Sequence, residues 1–185
     1  MRRGLGRPLQ GGAAGEIPPV LRRANQLLSS EDYGEAAILF EQLARAAEAR
    51  GGPRAPFFYI QAGRTRVMAG SAAAGLENLE NGLGLLVIRG HQPRATKVGM
   101  RLVAELKARG LGRQADQLTE YLEQLIPGFG QSMAATGRAS AQPHSALPTH
   151  CQGCGAPLRP DEVEWVDEST ASCAYCGTPS HTTTA

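Results

Sequence analysis

The chain has 185 residues, with 19 basic and 17 acidic side chains, a formal net charge of +2 and 42% apolar residues. This is enough apolar chain for one core, or for a domain with a small appendage, and it excludes a wholly disordered protein. Aromatics at 5% argue against sandwiches and barrels built on aromatic-rich strands.

Residues 1–17 hold three Arg, five Gly and a single acid, Glu16, and read as a solvated tail. They have the positive start of a signal peptide without its apolar stretch, and they lack the Ser content and amphipathicity of a transit peptide. The longest apolar run, Leu83 to Ile88, stops at Arg89, far short of the roughly 18–20 residues of a membrane helix. A cytoplasmic chain with reduced thiols is therefore expected.

Residues 18–126 carry helical patterning. The first helix is predicted over about Pro18–Leu28, with Pro19 tolerable in its first turn. A second is predicted from Ser30 as a cap, with Glu31 and Asp32 in its first turn, to Gly51-Gly52. The third covers about Ala55–Ala69 and ends at Gly70. Ser71 caps the fourth, in which Leu76, Leu79, Leu83 and Leu86 recur on one face. Pro93 opens the fifth, which runs to Arg109, and the sixth covers about Arg113–Ile126 before Pro127-Gly128.

These helices repeat. A small residue stands at Ala36, Gly75 and Ala115, each five positions after Glu31, Gly70 and Gly110, which gives a period of 39 and then 40 residues. Such a period signals stacked helix pairs, none able to bury its apolar face alone. The segment Asp32-Tyr33-Gly34-Glu35-Ala36-Ala37, followed by Phe40, resembles the tetratricopeptide family, and Tyr59, Gly63, Gly70 and Gly75 fit that family's positions in the second unit. The resemblance covers about 105 residues, with a period longer than the family's 34. It implies a right-handed stack with a concave groove for peptides or partner helices. In some such domains, Asn, Lys and Arg of the first helices clamp a peptide carboxylate. The resemblance puts Asn25, Gln61, Lys97 and Arg101 at those positions, with Leu21 where Lys is usual. The alternative is that all four are solvated surface residues.

Residues 127–149 are rich in Ala, Ser, Gly and Pro with Arg138 as the one charge, and read as a flexible linker. Residues 150–185 then hold all four cysteines, as Cys151-x2-Cys154 and Cys173-x2-Cys176. Each pair sets two thiolates on one tight turn, and two such turns supply four soft ligands to a tetrahedral metal. Gly155 and Gly177 follow each pair, where backbone N–H groups must reach the sulfurs. Glu162 to Asp167 alternates like a half-exposed strand. The arrangement resembles the zinc-ribbon family, which implies a structural Zn²⁺ held by Cys151, Cys154, Cys173 and Cys176. A rubredoxin-like iron site would use the same four ligands. A redox dithiol would require a βαβ pattern that is missing, and His150 and His181 flank the site as alternative ligands. A closed four-thiolate shell leaves no position for a reacting water.

The near-neutral total hides an asymmetry. Residues 150–185 hold Arg159 against Asp161, Glu162, Glu164, Asp167 and Glu168, a balance of −4, whereas the first 149 residues carry +6. With Arg159 as its single Lys or Arg, the ribbon is a poor nucleic-acid binder. No nucleophile elbow, metalloprotease helix or phosphate loop is present. The sequence thus reads as a mainly α protein, with stacked antiparallel helix pairs and a small C-terminal β zinc ribbon. Its expected role is a non-enzymatic protein-interaction adaptor for a protein or peptide partner. The alternative is a nucleic-acid-associated or transcription-related regulator using the basic repeat face.

Overall fold

A computed structural model describes residues 18–135, 147–152, 158, 160, 163–167, 169–173 and 177–182. The expected N-terminal tail, residues 136–146 of the expected linker, and Cys154, Gly155, Asp161, Glu162, Glu168 and Cys176 lie outside the described residues. The protein is mainly helical, with a small β element near its C-terminus. The helices are α1 (Pro19–Ser29), α2 (Tyr33–Ala49), α3 (Ala55–Met68), α4 (Ala72–Ile88), α5 (Gln92–Ala108), α6 (Gly112–Leu125) and α7 (Phe129–Ala135). Strands β1 (Glu164–Trp165), β2 (Thr170–Ser172) and β3 (Pro179–His181) form an antiparallel sheet in that order.

One turn, used five times, sets the helix order. After α1 to α5 the chain passes through a residue with positive φ: Glu31 (61°), Gly51 (64°), Gly70 (80°), Gly90 (79°) and Gly110 (75°). The next N–H reaches back to the carbonyl five residues earlier, as in Asp32 to Leu27 (2.9 Å), Ser71 to Arg66 (2.9 Å) and Leu111 to Leu106 (2.9 Å). These are Schellman ends, which satisfy the last carbonyls of each helix and reverse the chain. Four of the five positions are Gly, which meets no Cβ penalty there. Glu31 does, at a cost of about 1 kcal/mol.

That turn corrects one predicted boundary. Glu31 and Asp32 do not lie in the first turn of α2: Glu31 closes α1, and Asp32 is the residue before α2. The Ser30 hydroxyl donates backwards to the carbonyls of Gln26 (3.1 Å) and Leu27 (3.2 Å), so it finishes α1 instead of capping α2. The stretch read as a linker likewise opens with a helix, because Phe129 is 1% exposed and packs α7 into the core of α5 and α6.

Helices α3 and α4 approach closely. A Cβ on Gly75 would fall 2.7 Å from Val67 Cγ2 and 2.9 Å from the Gly63 carbonyl oxygen, and one on Gly63 would fall 2.7 Å from Leu79. The absence of side chains lets the two backbones touch, as the small residue expected at position 75 requires. Its counterparts Ala36 and Ala115 are fully buried. Polar ties reinforce the stack. The Arg66 guanidinium donates to both Glu41 oxygens (2.7 and 2.9 Å), and Asn78 Nδ2 adds a third bond to that carboxylate (3.2 Å), so α2, α3 and α4 share one charge.

Helix α3 is the centre of the molecule. From Ala55 to Gly63 every residue is buried, and the stretch has no polar stripe, as expected of a helix covered on all sides. Two apolar cores meet along it. One joins α4, α5, α6 and α7 to Phe57 and Ile60. The other joins α1, α2 and α3 to Cys151, Leu158, Val163, Ala171 and Cys173 of the C-terminal segment.

Candidate metal module and the helical face beneath it

The C-terminal segment, here called the module, is organised by local hydrogen bonds before any distant contact. The Leu158 N–H donates to the Thr149 carbonyl (3.0 Å). The Asp167 carboxylate accepts from the backbone N–H groups of Ser169 (2.8 Å) and Thr170 (2.7 Å) and from the Ser169 hydroxyl (3.0 Å), which builds the turn between β1 and β2. These bonds, the Ser169 N–H foremost, hold the Asp167 carboxyl below its ordinary pKa. Strand β2 pairs with both neighbours, Ala171 standing opposite Trp165 on one side and Ser180 on the other.

Two of the four predicted ligands are described, and both are interior. Cys151 is 2% exposed and Cys173 fully buried, within the same core although 22 positions apart in the chain. The Gly177 N–H donates to the Cys173 carbonyl (2.8 Å), the Cys173 N–H donates to the Thr178 carbonyl (2.9 Å), and Gly177 has φ of 72°. Cys151 and Cys173 are thus two buried thiols in one core. Among the described residues, no group of three or more His, Cys, Asp or Glu converges. Cys154 and Cys176 are not in that set. His150 and His181 are exposed, their Nδ1 atoms beside the hydroxyls of Thr149 (3.1 Å) and Thr170 (3.2 Å).

The module rests on the helices that would line the groove. Gly177 lies flat against the Phe57 ring of α3, where a Cβ would come within 2.7 Å of Cε2. Arg54 Nη2 donates to Thr178 Oγ1 (3.4 Å), and Arg101 Nη2 on α5 donates to the Val163 carbonyl (3.4 Å). Arg94 of α5 stacks over the Phe57 ring with its guanidinium carbon 4.5 Å from the centroid. Tyr59, in the core that α3 shares with the module, donates its hydroxyl to Glu48 Oε2 (2.7 Å). Burial first, then this bond, pushes its pKa up to about 12.

The four predicted peptide-binding residues are separated by this arrangement. Gln61 is 2% exposed on α3, and with Arg101 it lines a cleft between α3, α5 and β2. Asn25 is half-buried on α1 and Lys97 exposed on α5, and neither is among the cleft's lining residues. The cleft also takes in Phe57, Arg64, Arg94 and Ser172, none singled out in the sequence. A helical signal for them exists. Phe57, Gln61 and Arg64 recur at four- and three-residue steps on α3, and Arg94, Val98 and Arg101 do the same on α5, so each set forms one stripe. Comparison with protein-family models, with curated proteins and with solved structures gives no match to this chain.

Proposed function

We propose that the chain is a non-enzymatic, cytoplasmic protein-interaction adaptor, in which a tetratricopeptide-like helical array offers its α1, α3 and α5 face to a peptide partner. The observation that carries this reading is that the face already holds non-helical chain. Arg101 donates to a main-chain carbonyl, Phe57 receives a glycine, and Arg54 takes a threonine hydroxyl. A surface that recognises backbone and small side chains in its own C-terminus has the chemistry to recognise them in another protein.

The module is a structural zinc ribbon in this reading, with Cys151, Cys154, Cys173 and Cys176 as ligands. When bound, the metal ties its two turns together and adds folding energy that so short a segment cannot gather from burial. The burial of Cys151 and Cys173 in one core supports this assignment. Titration of metal-free protein with zinc tests it: one metal per chain is expected, and unchanged stoichiometry in Cys151→Ser would refute it. For the adaptor role, partners captured by the wild-type chain are compared with those captured by Lys97→Glu/Arg101→Glu. Loss of specific partners is expected, and identical partner sets would reject the groove. A salt-sensitive shift of generic DNA would instead favour the regulator reading.

A further inference from the structure

The seated module leaves no room on the face that it covers. Where α3, α5 and β2 meet, the cleft bordered by Phe57, Arg101 and Ser172 has a volume of about 40 Å³, space for a few waters and none for a peptide. The Phe57 ring is covered by Gly177 and Arg94, while Arg54 and Arg101 each hold an oxygen of the module. Any other chain that uses those groups must first displace the module.

The seat is loosely made. Both polar ties are 3.4 Å long, against 2.7 and 2.9 Å for the Arg66 and Glu41 pair inside the array. Between strand β3 and the N-terminal ends of α3 and α5, a cavity of about 360 Å³ remains, bordered by Arg54, His91 and Pro179. Packed cores hold few voids larger than a water molecule, so this contact has the character of a separable interface.

We infer that the module is an intramolecular occupant of the groove, which keeps the array closed until a competing segment takes its place. This rests on the adaptor reading and adds the regulation of its site. The competitor that fits is an extended segment of another protein, offering a main-chain carbonyl to Arg101 and a residue without a side chain to the Phe57 ring. Residues 136–146 join α7 to the module, and so short a tether sets an effective concentration of about 1 mM. A module seated for about nine-tenths of the time then has an affinity of about 0.1 mM for an open groove. A competitor binds the closed chain about tenfold more weakly than an open one.

The test sets full-length, zinc-loaded chains against one another, with the module of one chain as the probe for the groove of another. The probe is Arg54→Ala/Arg101→Glu, whose module is unaltered and whose own groove is spoiled. The recipient is Thr178→Arg, whose groove is unaltered and whose module is repelled by Arg54; Thr178→Lys is a second recipient of the same kind. Titration calorimetry is expected to give a 1:1 complex of probe and recipient at about 0.1 mM, and about tenfold weaker binding of the probe to the wild-type chain. Amide chemical shifts of Phe57 and Arg101 in the recipient are expected to move. Absence of a complex with both Thr178 variants at about 1 mM, ten times the expected constant, would overturn the inference. Equal affinity for wild type and Thr178→Arg, or shifts confined to residues outside α3 and α5, would do the same. No outside partner enters these titrations, so their failure leaves the adaptor reading to its own capture experiment. Complex formation alongside identical partner sets in that capture would reject the adaptor reading alone.

Discussion

Across the helical array, each helix buries apolar area against its neighbours, and fully or nearly fully buried side chains run from Leu21 on α1 to Leu122 on α6. The C-terminal module has strands of two or three residues, and its interior among the described residues is Cys151, Leu158, Val163, Ala171, Ser172, Cys173 and Ser180. The array closes its own turns with backbone bonds and can propagate from pair to pair, as stacked repeats do. The module gains its remaining burial by lying against α3 and α5. A segment this small needs a second support, and the helical face provides one while the proposed metal provides the other.

The largest effect expected from breaking this contrast is metal removal. Structural zinc in small domains is worth about 10–16 kcal/mol of folding energy, so chelation or Cys173→Ser should release the module and expose the thiols to Ellman's reagent. The helical circular-dichroism signal should largely persist. Helices that melt together with the module would show that the two regions are one cooperative unit.

Within the array, Gly75→Val should cost about 3 kcal/mol in urea denaturation, because a side chain there meets the Gly63 carbonyl, which cannot move without parting α3 from α4. Gly34→Ala has no neighbour within 4 Å and should instead gain about 0.5–1 kcal/mol. Equal responses would mean that the close backbone contact is not what fixes the pair.

Two ionisable groups tie stability to pH from opposite ends of the scale. The hydrogen bonds from Arg66, chiefly, hold the Glu41 carboxyl below its ordinary pKa. Its stabilisation is therefore complete above the usual carboxylate range and fades as pH falls through the lowered value. Glu41→Gln should cost about 1 kcal/mol at neutral pH and flatten that acid limb. Tyr59 behaves in the reverse sense. Its contribution is complete below its ordinary value of 10 and fades as pH rises towards about 12. In Tyr59→Phe that alkaline loss should shrink, as read from thermal melts between pH 9 and 12. The smallest effect belongs to the odd turn: Glu31→Gly should raise stability by about 0.5–1 kcal/mol by relieving its positive φ.

Much of the array was legible because its punctuation is local. Gly51, Gly70, Gly90 and Gly110 end helices by a mechanism that acts within six residues, and the observed starts of α3 to α6 lie within one residue of those expected. Glu31 concealed the fifth such turn, since a glutamate gives no sign of a left-handed conformation. The helix α7 was hidden for a different reason. Phe129 is a lone aromatic in a polar stretch, and only the tertiary pocket beside α5 and α6 shows why it is buried. The docking of the module was less legible still. It depends on Phe57, Arg54 and Arg101 meeting Gly177, Thr178 and Val163 more than 60 positions away, and no periodic pattern records such a contact.

The module is seated on the helical face, and the contact between Gly177 and the Phe57 ring reports this most directly. In the zinc-loaded full-length chain, a nuclear Overhauser effect is expected between the Gly177 Hα protons and the Phe57 ring protons, with both regions tumbling as one body. Absence of that cross-peak, with faster tumbling of residues 147–182 than of the helices, would contradict the account.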